Sequence, residues 1–227
     1  MKLEIYKTNI ITNVKQWQQF APPMGKEKHW KDGRSAKSLA QFMTDKHQIK
    51  KLDNILTELG YDTSGRILCT PEANTTLPGT GNGRNHDLLM IGNDFVVGIE
   101  AKVSESFGNS ISKELIGASE NKQKRIDTLA KELFGCEINA DSEDLKYQLL
   151  TGVMGTFFEA IKNSKPNALF LVIVFTDSIT SKDANAVVSN NQDFEDFCKY
   201  IGLSKDGGTI KKLNVMLTIK KVEISLN

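Results

Sequence analysis

Apolar residues recur at spacings of three and four along some stretches of the chain and at spacings of two along others. Ile49, Leu52, Ile55, Leu56 and Leu59 share one side of a predicted helix over Gln48–Gly60, which Gly60 ends. Leu145, Leu149, Val153, Phe157 and Ile161 predict another from Ser142 to Asn163, with Ser142, Glu143 and Asp144 as its acidic N-terminus. Shorter helices are expected at Val14–Phe20, at Ser35–Thr44 with Ser35 as its cap, and at Asp193–Gly202. A charged helix is expected over about Ala118–Phe134. Strands are read at Leu3–Tyr6, Arg66–Thr70 and Leu213–Ile224. The continuous apolar run Ala168–Thr176 suits a central strand covered on both faces. Asp87–Ile91 and Phe95–Val103 flank Gly92-Asn93-Asp94, the strongest hairpin signal in the chain.

From Gln48 onward the order is α-β-β-β-α-β-α-β, with an extra helix before the second main one. Strands and helices alternate late but not early. That order predicts an α/β (α+β) fold with a central mixed sheet flanked by helices, rather than a doubly wound parallel sheet. A chain of 227 residues fits a single domain. Residues 1–47 form an N-terminal extension, 48–176 the core, and 177–227 a C-terminal helix and strand.

Composition narrows the field of functions. The net charge of +1 excludes a binder whose whole surface is basic, but it leaves room for a local basic cleft. Cys69, Cys136 and Cys198 lie far apart with no CxxC, and are read as reduced core thiols. His29, His47 and His86 are too scattered for a zinc motif. No apolar run approaches a membrane span, and MKLEIYKTNIITN lacks the apolar segment of a secretion signal, so a cytoplasmic location away from membranes is expected.

The hairpin carries the chemistry. Phe95, Val97, Ile99, Ala101 and Val103 share one face of their strand, and Val96, Gly98, Glu100 and Lys102 the other. The first face packs inward, while the second ends in an acid and a lysine. A two-residue loop at Asn93-Asp94 sets Asp87 opposite Glu100; a loop at Gly92-Asn93 would set Asp87 against Gly98 instead. Carboxylates paired across strands stand about 4.5–5.5 Å apart at Cβ and repel unless a positive charge lies between them. Mg²⁺ takes one or two carboxylates together with water and phosphate, so it fits that place. Lys102, one pleat beyond Glu100, can orient a water or stabilise charge on a phosphate.

His86-Asp87, twelve intervening residues and Glu100-Ala101-Lys102 resemble the PD-(D/E)xK signature of the restriction-endonuclease-like superfamily. His86 stands where that signature has Pro. The α-β-β-β-α-β order from about Gln48 to Thr176 is similar to the superfamily's common core. The segments HWKDGRSAKSLA, HDLLMIG, EAKVSESFG and YQLLTG extend the resemblance to an uncharacterised bacterial group within it. The resemblance implies a nuclease that hydrolyses DNA phosphodiesters with Mg²⁺, or Mn²⁺ in its place, in restriction or phage defence. By the same match Asp87, Glu100 and Ala101 would be metal ligands and Lys102 the catalytic lysine. Gln148, with Tyr147 beside it, resembles the polar residues that many members place at the site. Glu58 on the first core helix and Glu72 after the first core strand compete to add an acid, and Glu105 is a further carboxylate. A homodimer is compatible with double-strand cleavage.

Other features read more plainly. GTGNG at 79–83 lacks the GK[ST] of a phosphate-binding loop and leads into a strand, so it is a flexible loop whose Arg84 can touch substrate. Lys26, Lys28, Lys31 and Arg34 with Trp30 form a basic patch carrying an aromatic, suited to nucleic acid; Lys28, Trp30 and Arg34 are its principal candidates. Lys122, Lys124 and Arg125 are read as a solvated helix face. Two rival functions stand beside the nuclease: a binding or regulatory module on the same fold, and a hydrolase of other phosphoesters.

Overall fold

The computed structural model describes residues 1–23, 30–79, 81–177 and 184–227. The elements run β1 (Lys2–Ile5), α1 (Val14–Phe20), α2 (Ser35–Thr44), α3 (Lys46–Glu58), β2 (Arg66–Thr75), β3 (Arg84–Ile91), β4 (Phe95–Lys102), α4 (Ile111–Leu115), α5 (Glu120–Phe134), α6 (Tyr147–Lys162), β5 (Asn167–Phe175), α7 (Ala184–Tyr200), β6 (Gly207–Lys212) and β7 (Val215–Ile224). The strands form one sheet in the order β1-β2-β3-β4-β5-β7-β6. β2, β3 and β4 are antiparallel neighbours, whereas β4 and β5, β5 and β7, and β1 and β2 are parallel. The sheet is therefore mixed, as the element order predicted.

Helices cover both faces. Trp17, Leu39, Phe42, Leu52 and Leu56 of α1–α3 pack with Val97, Ile99, Leu171 and Ile173 on one side. Ile126, Leu129, Met154, Phe157, Phe194 and Phe197 of α5–α7 pack with Val96, Phe170, Val172 and Ile219 on the other. β4 and β5 are the central strands of these three layers. The odd-numbered residues of β4 fall in the first core as predicted. The opposite face of β4 is not open, however. Gly98, Glu100 and Lys102 are buried beneath α6, because a parallel crossover places a helix over the strands it connects.

Several boundaries differ from the sequence reading. α6 begins at Tyr147 rather than Ser142: the main-chain N–H groups of Ile111 and Ser112 bond the carbonyls of Leu145 and Glu143, which draws that segment out of the helix. β2 continues through the polar residues up to Thr75, because Ala73, Asn74 and Thr75 pair with His86, Asn85 and Arg84. Pro71 is tolerated there because β1 pairs only with Arg66–Cys69, leaving the other edge of β2 open beyond it. β6, α4 and the first half of α7 carry no clear apolar period and were not predicted. Ser35 is the first residue of α2 rather than its cap: Glu105 accepts from its N–H and hydroxyl, both at 3.2 Å. The N-terminal extension supplies an edge strand and two helices of the first layer. Among the described residues no helix is long and apolar enough to cross a membrane.

Candidate active site

The hairpin register follows the loop at Asn93-Asp94. Gly92 N–H bonds the Phe95 carbonyl at 3.0 Å, and the pairs run from Ile91–Val96 to Leu88–Ile99. Asp87 and Glu100 come next in that register, on neighbouring strands. They line a cleft of about 400 Å³ together with Glu72, Arg84, Ala101, Lys102 and Gln148. Pro23, Arg34, Ser35 and Ala36 from the N-terminal extension close its other side.

Two strands distort to build the cleft. β2 and β3 pair at Pro71–Leu88 and at Ala73–His86, but the rung between, Glu72 against Asp87, carries no pairing. Glu72 has φ 48°, in the left-handed region that a non-glycine residue enters only at a cost. Side-chain alternation reverses there. Ile67 and Cys69 belong to the core under α1–α3, whereas Ala73 belongs to the core under α6. β3 reverses in step: Leu88 faces α1–α3, while His86 lies against Gly98 and Gly155 on the α6 side. A Cβ on Gly98 would come within 2.1 Å of Thr156 Oγ1 and 2.8 Å of the His86 ring. One on Gly155 would come within 2.9 Å of His86 Nε2. The two glycines thus form a slot for the imidazole. Burial pushes His86 down to about 3, so the ring is neutral, and among the described residues neither ring nitrogen has a partner.

The charged groups interlock. Lys102 Nζ reaches Glu100 Oε1 at 2.9 Å and donates to Gln148 Oε1 and the Ser106 carbonyl, both at 3.1 Å. Arg84 holds Glu100 Oε2. Asn85 donates to Glu72 Oε2 at 2.8 Å, and Lys7 to the Glu72 carbonyl at 2.7 Å. Asp87 Oδ2 accepts from Ala101 N–H at 2.7 Å. Burial, and then the charge of Glu100, push Asp87 well above the usual carboxyl range. Burial also raises Glu72. For Glu100 burial acts in the same direction, but Arg84 and then Lys102 outweigh it and hold the carboxyl below its ordinary value.

The cleft gathers Asp87, Glu100, Ala101, Lys102, Gln148, Glu72, Arg34 and Arg84 of the sequence-predicted residues. Ala101 has only its main-chain carbonyl to offer a cation, and its N–H donates to Asp87. Glu58 is exposed at the end of α3 and does not line the cleft, because the side of α3 carrying Leu52 and Leu56 faces the core. Glu105 lines the cleft, but its carboxylate is held by Val103 N–H and Ser35. Trp30 packs against the α1–α3 core instead of lining the cleft, and Arg34 is exposed on the rim. Lys26 and Lys28 lie outside the described residues. Tyr147 turns toward Lys122, 5.8 Å from its ring centroid, away from the cleft. Arg125 is buried rather than solvated and bonds the Asn82 carbonyl at 2.6 Å, since the 81–83 loop folds over α5. Cys136 is exposed, unlike the two core cysteines. Sequence reasoning missed Arg84 as the counterion of Glu100 and Asn85 as the support of Glu72. Both contacts cross strands whose extended length was itself unseen.

Among the described residues no three His, Cys, Asp or Glu side chains form a ready-made metal cage. The donors present suit a hard cation that needs few protein ligands. Asp87, Glu100 and Glu72 offer carboxylate oxygens, and Mg²⁺ completes its shell with water and phosphate.

Fold and site define an α/β protein with a buried acidic cleft, bridged by Lys and Arg, between adjacent strands of a mixed sheet. The chain belongs to the family described as Domain of unknown function (DUF6946), which matches residues 10–226. Comparison with curated proteins and with solved structures returned no match.

Proposed function

We propose that this protein is a Mg²⁺-dependent nuclease of the PD-(D/E)xK type that hydrolyses DNA phosphodiester bonds, with Mn²⁺ able to replace Mg²⁺. The observation that carries this reading is the convergence of Asp87, Glu100 and Lys102 in one cleft, with Gln148 on the lysine. The fold supports it: α3, β2, β3, β4, α6 and β5 come in the order of a restriction-endonuclease-like core, with α4 and α5 inserted before α6, and their strands are neighbours in the sheet.

Asp87, Glu100 and Glu72 would hold the cation, with the main chain at Ala101 beside them. When bound, it supplies neutralisation of charge at phosphorus and a lowered pKa for the attacking water. Lys102 is fixed from three sides by Glu100, Gln148 and the Ser106 carbonyl, so its ammonium is preorganised to stabilise charge developing on a phosphate oxygen. Arg34, exposed on the rim, would contact the backbone of a nucleic acid.

A plasmid-cleavage assay with Mg²⁺ or Mn²⁺, with EDTA and Lys102→Ala as controls, tests the reading. Nicking or linearisation abolished by both controls is expected. A folded wild type that stays silent with either metal overturns it. One observation favours a second reading, a nucleic-acid or protein binding module: both oxygens of Glu100 already carry cations. DNA binding without turnover under any divalent metal would select it.

A further inference from the structure

Glu100 has a cation on each carboxylate oxygen, and none of the three side chains is more than about a tenth exposed. The two cations differ. Lys102 has further acceptors in Gln148 and Ser106. The side chain of Arg84 bonds Glu100 alone among the described residues, and its buried Nε has no partner. A guanidinium carries five donors in a planar fork, and a buried donor without an acceptor is costly. Arg84 is also the first residue of β3, and it lines the cleft. Leaving Glu100 for an oxygen-rich anion in the cleft would give the guanidinium, whose Nε is sealed from solvent and bonds no acceptor among the described residues, a fuller set of acceptors. Phosphate matches the fork geometry.

We propose that Arg84 is a displaceable counterion: it neutralises Glu100 while no divalent cation is present, and passes to a non-bridging oxygen of the substrate phosphodiester when a cation takes Glu100. The proposal rests on the nuclease reading above. It makes the two ligands cooperative. The cation frees Arg84 for the phosphate, the phosphate draws Arg84 off Glu100, and linkage requires the same factor in both directions.

The test is calorimetric titration of the full chain with Ca²⁺, which takes the same class of oxygen ligands as Mg²⁺. Without DNA, Arg84→Gln should bind the cation about tenfold tighter than wild type, because Glu100 is released. With a short duplex present, wild type should gain about tenfold in cation affinity and Arg84→Gln less than about twofold. In EDTA, Glu100→Gln should bind the duplex several-fold tighter than wild type by fluorescence anisotropy. Glu105→Gln, which removes an ionised cleft carboxylate that does not touch Arg84, is the charge control and should stay within about twofold. Unchanged cation affinity in Arg84→Gln, or an undiminished DNA effect in it, overturns the proposal. So does a Glu100→Gln gain no larger than that of Glu105→Gln. If wild type neither binds nor cleaves DNA, the nuclease reading fails, and the DNA-free titration still decides whether Arg84 competes with the cation. If circular dichroism shows Arg84→Gln unfolded, the Glu100→Gln comparison decides.

Discussion

Glu72 and Asp87 face each other across β2 and β3 at a rung without main-chain pairing, between the paired rungs Pro71–Leu88 and Ala73–His86. Both strands reverse their side-chain alternation at this rung, and both residues line the cleft. The ladder gives up one pair of bonds, and two carboxyl side chains turn toward Glu100 and Lys102. A backbone held at φ 48° by a glutamate is strained, and strain of this kind persists where surrounding contacts over-determine it. Here Lys7 grips the Glu72 carbonyl and Asn85 its side chain.

That strain gives an ordering of variants. Glu72→Ala keeps the left-handed backbone and loses the Asn85 bond, whereas Glu72→Gly loses the same bond but tolerates the backbone. Glu72→Gly should be more stable than Glu72→Ala by about 1 kcal/mol in urea unfolding. Both should lower cleavage by about a hundredfold or more if Glu72 holds the cation. Equal stability of the two variants would remove strain from the account.

Asp87 links stability to pH. Burial first, and then Glu100, raise its carboxyl above the ordinary value of 3.8. The folded protein therefore retains a proton that the unfolded chain has released. The stability this group contributes is complete below about 3.8 and is lost as pH rises through the folded value. Asp87→Asn removes that loss. The metal-free variant should melt higher than wild type by about 2–4 °C at neutral pH and above, the shift expected for about 1 kcal/mol in a chain of this size. The two melting temperatures should converge in acid. A melting difference that does not change with pH would contradict the assignment.

The same raised carboxyl predicts proton release on metal binding. A cation needs the ionised form of Asp87, so Mn²⁺ affinity should rise with pH, and the calorimetric enthalpy should depend on the ionisation heat of the buffer. Buffer-independent enthalpy would show that Asp87 is not a ligand.

The imidazole slot gives a packing prediction. Gly155→Ala places a Cβ against Thr75 Oγ1, His86 Nε2 and the Arg84 Cβ, at 2.7, 2.9 and 3.1 Å before relaxation. Overpacking of this kind costs about 1–3 kcal/mol. Trimming the ring should restore part of that loss, so His86→Ala and Gly155→Ala should couple in a double-mutant cycle of urea unfolding. Strict additivity would mean that the ring and the glycine do not share one space.

Thiol labelling separates the cysteines. Cys136 is exposed, burial pushes the Cys198 thiol up to about 12, and burial raises Cys69 as well. The native protein should take up one equivalent of a thiol reagent, and the denatured chain three. More than one fast-reacting thiol in the native state would contradict the burial of Cys69 and Cys198.

Local chemistry was legible without the fold. Strand residues alternate with period two, so the apolar run at Phe95, Val97, Ile99 and Ala101 placed Glu100 and Lys102 together on the other face. A two-residue loop at Asn93-Asp94 then set the register that brings Asp87 beside Glu100. Helical periods located α3 and the body of α6, and with it Gln148. The periods are short-range regularities that neighbouring residues dictate, whereas the choice between the two loop registers open to the hairpin was made by the folded structure.

Tertiary structure decided what crosses between segments distant in sequence. Glu58 and Glu72 compete for one role in the sequence, and packing settles their positions: the Leu52 and Leu56 side of α3 faces the core, and strand pairing carries Glu72 into the cleft. Ser35 read as a cap, yet Glu105, seventy residues away, accepts from its N–H. Arg84 read as a loop residue, but pairing with Thr75 makes it the start of a strand, with its side chain on Glu100. The apolar pattern by itself determined most of the elements, the mixed character of the sheet and the shared face of Glu100 and Lys102. The charge balance of that face was decided only when the sheet assembled, because Coulomb and hydrogen-bond energies depend on distance and burial, and neither is a property of the chain before it folds.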